Sequence, residues 1–144
     1  MAYEVTKVEV WTREIDDRAG SLSAALEPLA KAGVDLVFMI ARRYTHVSGK
    51  GVVFVGGITG AVAVKAAEGA GFKKSTDLTG LRVEGPNKPG DAFQVAKTLS
   101  QAGINLRGVS ASVIGAKYVQ IMAFDSAADA DKAANLLSGS GKGK

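Results

Sequence analysis

The sequence predicts an α+β protein in which one small unit of strands and helices occurs twice. Residues 17–36 and 87–106 resemble each other at a constant offset of 70 positions, and no gap is needed to align them. In each half a β-rich segment runs into a glycine turn, after which apolar residues recur at helical spacing. Length and composition agree with this class, because 144 residues with 47% apolar side chains can form one ordinary domain or two small halves that share an interface.

The two segments match most closely around the ends of the predicted helix. The turn residues 17–20 return as 87–90, and the octapeptide 29–36 returns as 99–106. Similarity at a fixed period indicates a duplicated structural unit. Five positions are identical, namely Gly20, Leu29, Ala32, Gly33 and Leu36 in the first copy.

The first half is predicted to run strand, helix, strand, strand, helix, strand. Its opening segment, residues 5–15, is rich in Val, Trp, Thr and Ile, which favour strands. A helix follows on the apolar spacing from Leu22 to Leu29, but Pro28 removes a hydrogen bond there, which costs up to ~3 kcal/mol and predicts a kink or a later start. The remaining elements are strands at 34–43, 51–55 and 72–75 and a helix at about 60–70 with Thr59 as its N-cap.

The second half repeats this order up to its last strand. Strands are predicted at 81–84, 104–113 and 117–124, with one helix around 92–99 and a final helix at 127–137 that begins with Ser126 and Asp129 in a capping-box arrangement. Residues 138–144 show no apolar alternation, so the fourth strand is missing and a sheet edge is left unpaired. Either the first part of the opening segment, which exceeds the length of an average strand, or a neighbouring chain fills this position.

These patterns divide the chain into a first repeat at residues 1–76, a second repeat at residues 77–137 and a flexible tail at residues 138–144. The tail contains Lys142 and Lys144, which supply half of the net charge of +4. The body is therefore only mildly basic, which is weak support for nucleic-acid binding. No apolar run approaches the ~18 to 20 residues of a membrane span, and the first residues lack the pattern of a secretory signal, so we expect a cytoplasmic protein.

The residue types that usually carry catalysis or bind metals are scarce. The chain has no cysteine, which excludes disulfides and thiolate chemistry, and its single histidine, His46, excludes a multi-histidine metal centre. No nucleophile is accompanied by a plausible base and orienting group. We therefore expect neither an enzyme nor a cofactor or metal site.

The repeated motifs resemble a known module. The residues Asn-Lys-Pro-Gly-Asp-Ala at 87–92, a helix, and Ala-Gly-Ile-Asn-Leu at 102–106 closely resemble the ACT domain. The first half resembles it through Asp-Arg-Ala-Gly-Ser-Leu at 17–22 and Ala-Gly-Val-Asp-Leu at 32–36. The resemblance covers residues 5–137 and implies two ferredoxin-like βαββαβ repeats, with antiparallel sheets and helices on one face.

The family resemblance also implies a function. In ACT proteins this module commonly binds an amino acid where two such domains meet, and it thereby regulates a linked or partner activity. No enzyme domain accompanies the two repeats in this sequence, so the chain is similar to a free-standing tandem pair. We expect it to bind a small amino acid at repeat or subunit interfaces, to form a homodimer, and to signal to a partner enzyme or regulator.

The resemblance implies ligand contacts from the loop asparagine and from the asparagine that opens the second strand, which correspond to Asn87 and Asn105. Neutral amides both donate and accept hydrogen bonds, and a helix that follows a glycine turn offers free backbone N–H groups to a carboxylate. Asp91 brings its own charge to the same helix end. The candidate ligand-binding residues of the second copy are Asn87, Lys88, Gly90, Asp91, Ala92, Asn105 and Leu106.

The first copy departs from this pattern. Asp17 and Asp35 replace the two asparagines, and Ala19 replaces the usual proline. These carboxylates would favour an ammonium group or a metal ion and would repel a carboxylate, so the two sites should differ in preference. Asp17, Gly20 and Asp35 complete the candidate set, and the second copy is the stronger candidate for an amino acid.

Two other functions remain open on the sequence. The same loop residues are ordinary turn formers, and the pair would then be a structural or protein-interaction module without a ligand. Residues 50–55 match part of an RNA-recognition signature, but Val52 and Gly57 stand at two of its aromatic positions. RNA binding would therefore require Phe54 and Trp11 on one exposed face of a sheet.

Overall fold

The computed structural model describes residues 3–139, which form two compact units. Unit 2 is the continuous segment Glu9–Ser75, and unit 1 combines the described residues 3–8 with residues 76–139. The strands and helices of unit 2 are β2 (Trp11–Asp16), α1 (Ser21–Lys31), β3 (Phe38–Arg43), β4 (Lys50–Gly56), α2 (Ala61–Gly69) and β5 (Lys73–Lys74). Those of unit 1 are β1 (Glu4–Val8), β6 (Thr79–Pro86), α3 (Asp91–Gln101), β7 (Gly108–Ile114), β8 (Lys117–Phe124) and α4 (Ala127–Ser138).

Unit 2 is a four-stranded antiparallel sheet with two helices. The strand order is β3-β4-β2-β5, so the first and third strands of the unit lie in the centre. Apolar residues on one face of the sheet pack against both helices, which places the core between the two layers. Its most deeply buried side chains include Trp11, Ala25, Leu29, Val53, Val55, Ala67 and Phe72.

Unit 1 has the same architecture with a different source for its fourth strand. Its sheet has the order β1-β6-β8-β7, and β1 pairs antiparallel with β6 from Glu4 opposite Glu84 to Val8 opposite Gly80. The opening segment therefore occupies the sheet edge that the second half leaves unpaired. The buried side chains of this core include Tyr3, Leu81, Val83, Val95, Leu99, Met122, Phe124 and Leu137.

The predicted α+β class with two ferredoxin-like repeats is confirmed. The units change after Ser75, one residue before the expected boundary, but the opening segment does not belong to the first repeat. Residues 3–8 belong to unit 1, because backbone hydrogen bonds to β6 and burial of Tyr3 join them to the second half. At the other end, Ser138 is the last residue of α4 rather than the first residue of a tail. Gly139 is the C-cap of this helix, and residues 140–144 of the expected tail lie outside the described residues.

Helices α1 and α3 end in the same glycine motif, which explains why the strands after them begin later than predicted. After α1, Gly33 has a φ of 73°, and the Val34 N–H donates to the Leu29 carbonyl at 3.0 Å. After α3, the Ile104 N–H donates to the Leu99 carbonyl at 3.0 Å. This arrangement holds the residue after the glycine at the helix end. Residues 34–37 and 104–107 are therefore connecting segments, and the strands begin after them.

The predicted N-cap is right for α4 and wrong for α2, and Pro28 does not delay the start of α1. Ser126 caps α4 by accepting a hydrogen bond from the Asp129 N–H at 3.1 Å, as the sequence predicts. Helix α2 is capped by Gly60 without a side-chain hydrogen bond, so the N-cap assigned to Thr59 is wrong. Helix α1 begins at Ser21 and contains Pro28, so the later start does not occur.

Tyr3 anchors β1 to both helices of unit 1. Its N–H donates to the Leu137 carbonyl at 2.8 Å, and its hydroxyl donates to Asp91 Oδ1 at 3.2 Å. The ring lies so close to Gly85 that a Cβ there would be 2.7 Å from Tyr3 Cδ1. Burial, followed by the charge of Asp91, raises the pKa of Tyr3 to about 12.

Replacing Gly85 with alanine should destabilise the protein by about 1–3 kcal/mol, because the added methyl group overpacks the Tyr3 ring. Urea unfolding followed by far-UV circular dichroism measures the loss. Gly108→Ala in β7 of the same sheet is the control, since a Cβ there meets no atom of the described residues within 4 Å. Equal effects of the two substitutions would contradict the close approach of ring and backbone.

Raising the pH above 10 should remove a stabilising contribution of Tyr3. Its pKa in the folded protein, about 12, exceeds the ordinary value of 10.0, so the contribution is complete below pH 10 and is lost as the pH rises to 12. In Tyr3→Phe the free energy of unfolding should fall less steeply, by at most ~1.4 kcal/mol per pH unit relative to the unmodified protein. Urea titrations at several pH values between 9 and 12 test this, and parallel slopes would refute it.

Candidate functional site

The loop 87–90 connects β6 to α3 at one end of the unit 1 sheet. The Asn87 N–H donates to the Ala116 carbonyl at 2.9 Å, which fixes the loop beside the turn between β7 and β8. Gly90 is the N-cap of α3 with a φ of 90°, a conformation that disfavours side chains with a Cβ. Asn87, Lys88, Gly90 and Ala92 are exposed, so this part of the predicted site is accessible.

Asp91 was predicted to contact the ligand, but its side chain is buried and already hydrogen bonded. It is only 6% exposed, and its Oδ2 accepts a hydrogen bond from the Lys88 N–H at 2.9 Å while Oδ1 accepts one from the Tyr3 hydroxyl. The carboxylate therefore already satisfies a backbone donor of the loop. Contact between Asp91 and a ligand would require these two hydrogen bonds to break.

Asn105 and Leu106 lie at the other end of unit 1. The Arg107 N–H donates to the Ala123 carbonyl at 2.8 Å, whereas Asn87 is held at Ala116, so the two asparagines are separated by nearly the whole length of β8. Helix α3, which runs between them, has 11 residues and is about 16 Å long. Asn105 is exposed, while Leu106 packs against the core. One small ligand cannot touch Asn87 and Asn105 of the same unit.

The first copy has the same layout in unit 2. The Asp17 N–H donates to the Gly49 carbonyl at 2.9 Å, and Gly20 is the N-cap of α1 with a φ of 91°. Asp35 is exposed in the connection between α1 and β3. Two residues further on, the Val37 N–H donates to the Gly56 carbonyl at the end of β4. Asp17 and Asp35 are thus also at opposite ends of their unit.

Nearby cations compensate the acidic residues of the first loop. Asp17 Oδ2 accepts a hydrogen bond from Arg43 Nε at 2.5 Å. Asp16 Oδ1 accepts one from Lys50 Nζ at 2.6 Å, and this hydrogen bond together with the charge of Lys50 lowers the pKa of Asp16. The repulsion of a carboxylate that the sequence predicts at Asp17 is therefore reduced by Arg43.

A cavity of about 330 Å³ adjoins the loop of the second copy. It borders Asn87, because Pro86 precedes this residue and the Ala116 carbonyl binds its N–H. Two glutamates and one lysine are among its lining residues, although apolar atoms make up most of its surface. The lining residues are Glu4, Glu84, Gly85, Pro86, Ala116 and Lys117.

Arg107 is a charged residue near the other half of the candidate site that the sequence reasoning missed. Its guanidinium donates to Asp77 Oδ2 and to Asp125 Oδ1, both at 3.2 Å. These hydrogen bonds, the one to Asp77 first, raise the pKa of Arg107. The only sequence signal was a difference between the copies, since Val37 stands at the corresponding position of the first copy.

The requirement for RNA stacking is not met in unit 2. Trp11 pairs with Val55 in the β2–β4 ladder, and the next residue, Thr12, pairs with Phe54. Adjacent positions of a strand face opposite sides of the sheet, so Trp11 points into the core while Phe54 lies on the other face.

Within residues 3–139, no set of three or more acidic or histidine side chains is arranged to hold a metal ion. The helices in the same range are too short or too polar to cross a bilayer.

Comparison with known proteins gives matches in fold, whereas no protein-family model and no curated protein sequence matches the chain. Protein BT0572 from Bacteroides thetaiotaomicron superposes with a TM-score of 0.70 at 20% identity, covering 94% of this chain and 88% of that one. The ligand-free regulatory subunit of aspartate kinase from Thermus thermophilus gives 0.64 at 14% identity over 95% of both chains. Aspartate kinase from Synechocystis gives 0.61 at 20% identity, covering 96% of this chain and 26% of that one. The resemblance predicted from the sequence is thus confirmed in the fold: the chain has the tandem ACT-type fold of aspartate kinase regulatory domains.

Proposed function

We propose that this chain is a regulatory protein that binds a small amino acid where ACT units of two molecules meet, and that it signals the bound state to a partner enzyme or regulator. The proposal rests on the exposure and the unused hydrogen-bonding capacity of the Asn87 and Asn105 side chains. Both are exposed, and neither side chain forms a hydrogen bond within the described residues. They lie at opposite ends of one unit, so a single ligand can contact both types of residue only when a second molecule of this chain supplies one of them.

Strand β7 offers the surface on which a second copy would pair. It is the outer strand of its sheet, all seven of its residues are exposed, and none of them is charged or proline. Natural proteins usually protect such an edge. Antiparallel pairing of two β7 strands about Ala111 sets Val109 opposite Val113 of the partner subunit, so the edge is self-complementary.

This pairing would also unite the two halves of the candidate site. In an antiparallel pair the beginning of one β7 lies beside the end of the other. Asn105 precedes the beginning of β7, and Asn87 is hydrogen bonded to Ala116 just beyond its end. Asn105 would therefore approach Asn87 of the partner subunit. The dimer would contain two such sites, which are equivalent and are both formed by the second repeats.

The chemistry of this region supports a free amino acid as ligand. The amides of Asn87 and Asn105 can bind either charged group of a zwitterion. The cavity beside Asn87 adds Lys117, which suits a carboxylate, and Glu4, which suits an ammonium group. Glu84 is partly engaged by an ion pair with Arg82, so its carboxylate is less available.

The structural neighbours support a regulatory role over a catalytic one. Several of them are regulatory subunits or regulatory domains of aspartate kinase, and the chain spans 95% of the Thermus thermophilus subunit. A ligand would act by stabilising one arrangement of the copies over another, and only as far as its affinities for the two arrangements differ. The proposal includes the cytoplasmic location expected from the sequence.

Replacing Asn87 or Asn105 with alanine should abolish amino-acid binding and leave the fold intact, because both residues are exposed. Thermal unfolding against each of the twenty amino acids at millimolar concentration identifies the ligand, since binding to the native state raises the midpoint. Each variant should lose at least about tenfold in affinity, the effect of one hydrogen bond to a charged group. Asn135→Ala, an exposed asparagine on α4, is the matched control.

Retention of the midpoint rise in both variants would refute the site assignment. A flat response of the unmodified protein to all twenty amino acids would instead favour an interaction module that needs no ligand.

Replacing Val113 with lysine should weaken the dimer without unfolding the protein. Val113 is 54% exposed and lies opposite Val109 of the partner subunit in the proposed contact, so each substitution would place a charged side chain against an apolar one. Sedimentation velocity across a concentration series measures the dissociation constant, which should rise at least about tenfold. Val62→Lys, at a 70% exposed position on α2, is the control and should leave it unchanged. The same dissociation constant in both variants would show that β7 is not the contact.

A further inference from the structure

The buried contact between Tyr3 and Asp91 joins the opening strand to the candidate loop. The two residues are 88 positions apart in sequence, and both are less than 10% exposed. Asp91 binds the Lys88 N–H with one carboxylate oxygen and the Tyr3 hydroxyl with the other. The conformation of the loop backbone is thus coupled to Tyr3 through a single side chain.

We propose that Tyr3 is a positioning residue of the candidate ligand site: through Asp91 it fixes the backbone of loop 87–90, so that the loop keeps its binding conformation only while β1 is paired with β6. The inference rests on the proposed function, because it gives that site a form of regulation. It concerns a residue that touches no ligand.

Burial explains why the Tyr3 hydroxyl matters for the loop. A buried carboxylate needs several donors to replace the water it has lost. Without the Tyr3 hydroxyl, the Lys88 N–H is the donor that Asp91 keeps among residues 3–139, and the carboxylate gains from turning towards solvent. The Lys88 N–H would then lose its partner, and residues 87–90 would become more mobile.

The first copy lacks this device. Ser21 occupies the position that corresponds to Asp91, and the first turn of α1 contains no acidic residue. The control by the opening strand is therefore specific to the second copy. Since β1 is followed after two residues by β2, a ligand that holds loop 87–90 would also hold the strand that leads into unit 2, and coupling of this kind is reciprocal.

Amide hydrogen exchange followed by NMR tests the inference on the full chain. In Tyr3→Phe, which keeps the ring and removes only the hydroxyl, exchange at residues 87–92 should become roughly tenfold faster than in the unmodified protein. Tyr118→Phe is the matched control. It removes a buried hydroxyl from the same core, but that hydroxyl donates to Gln120 Oε1 rather than to Asp91, so exchange in the loop should change less than about twofold.

A double-mutant cycle separates positioning from a general loss of stability. Asp91→Ser introduces the residue of the first copy and removes the shared acceptor, so adding Tyr3→Phe to it should not speed loop exchange further. Additive effects, or equal effects of Tyr3→Phe and Tyr118→Phe on the loop, would overturn the inference.

Once a ligand is identified by thermal unfolding, its affinity for Tyr3→Phe should fall several-fold while its affinity for Tyr118→Phe stays unchanged. If none of the twenty amino acids binds the unmodified protein, the proposed function fails. The exchange measurements still decide whether Tyr3 controls the loop.

Discussion

The antiparallel pairing of β1 with β6 is the contact on which the rest of unit 1 depends. Without it the unit would be a three-stranded sheet with β6 at an open edge, and Tyr3 would not reach α3 or α4. The pairing supplies the backbone hydrogen bonds of a fourth strand. It also buries the Tyr3 ring against Gly85 and completes the hydrogen bonds of Asp91. A segment of six described residues thus connects the sheet, both helices and the candidate loop.

The parts of the fold that follow from local rules could be predicted from the sequence. Gly33 and Gly103 end helices because only glycine readily takes the required positive φ, and Ser126 caps α4 because its hydroxyl reaches a free N–H two to three residues on. The later starts of β3 and β7 were missed, although the same glycine motif explains them. The residue after the glycine is held by the helix end, and a pattern of apolar residues alone does not reveal this.

The features that depend on distant partners could not be read from the sequence. The sequence left two occupants open for the unpaired sheet edge, the opening segment or a neighbouring chain, and the pairing of β1 with β6 shows that it is the opening segment. The sequence marks Asp91 as a candidate ligand contact at the helix end, but its carboxylate is buried against Tyr3, 88 positions away. The two asparagines of the candidate site were recognised by resemblance, whereas their separation by the length of α3 follows from the fold. Because of that separation, the proposed site requires a second molecule of the chain.

The discontinuous make-up of unit 1 sets the order in which the protein can fold during synthesis. All strands and helices of unit 2 lie between Glu9 and Ser75, so this unit is complete once Ser75 has left the ribosome. Unit 1 must wait for β8 and α4, and its pairing of Glu4 with Glu84 closes a loop of about 80 residues. Until then the opening strand has no partner in its own chain. A folded unit 2 lies within that loop, and its compactness shortens the distance over which the two strands must find each other.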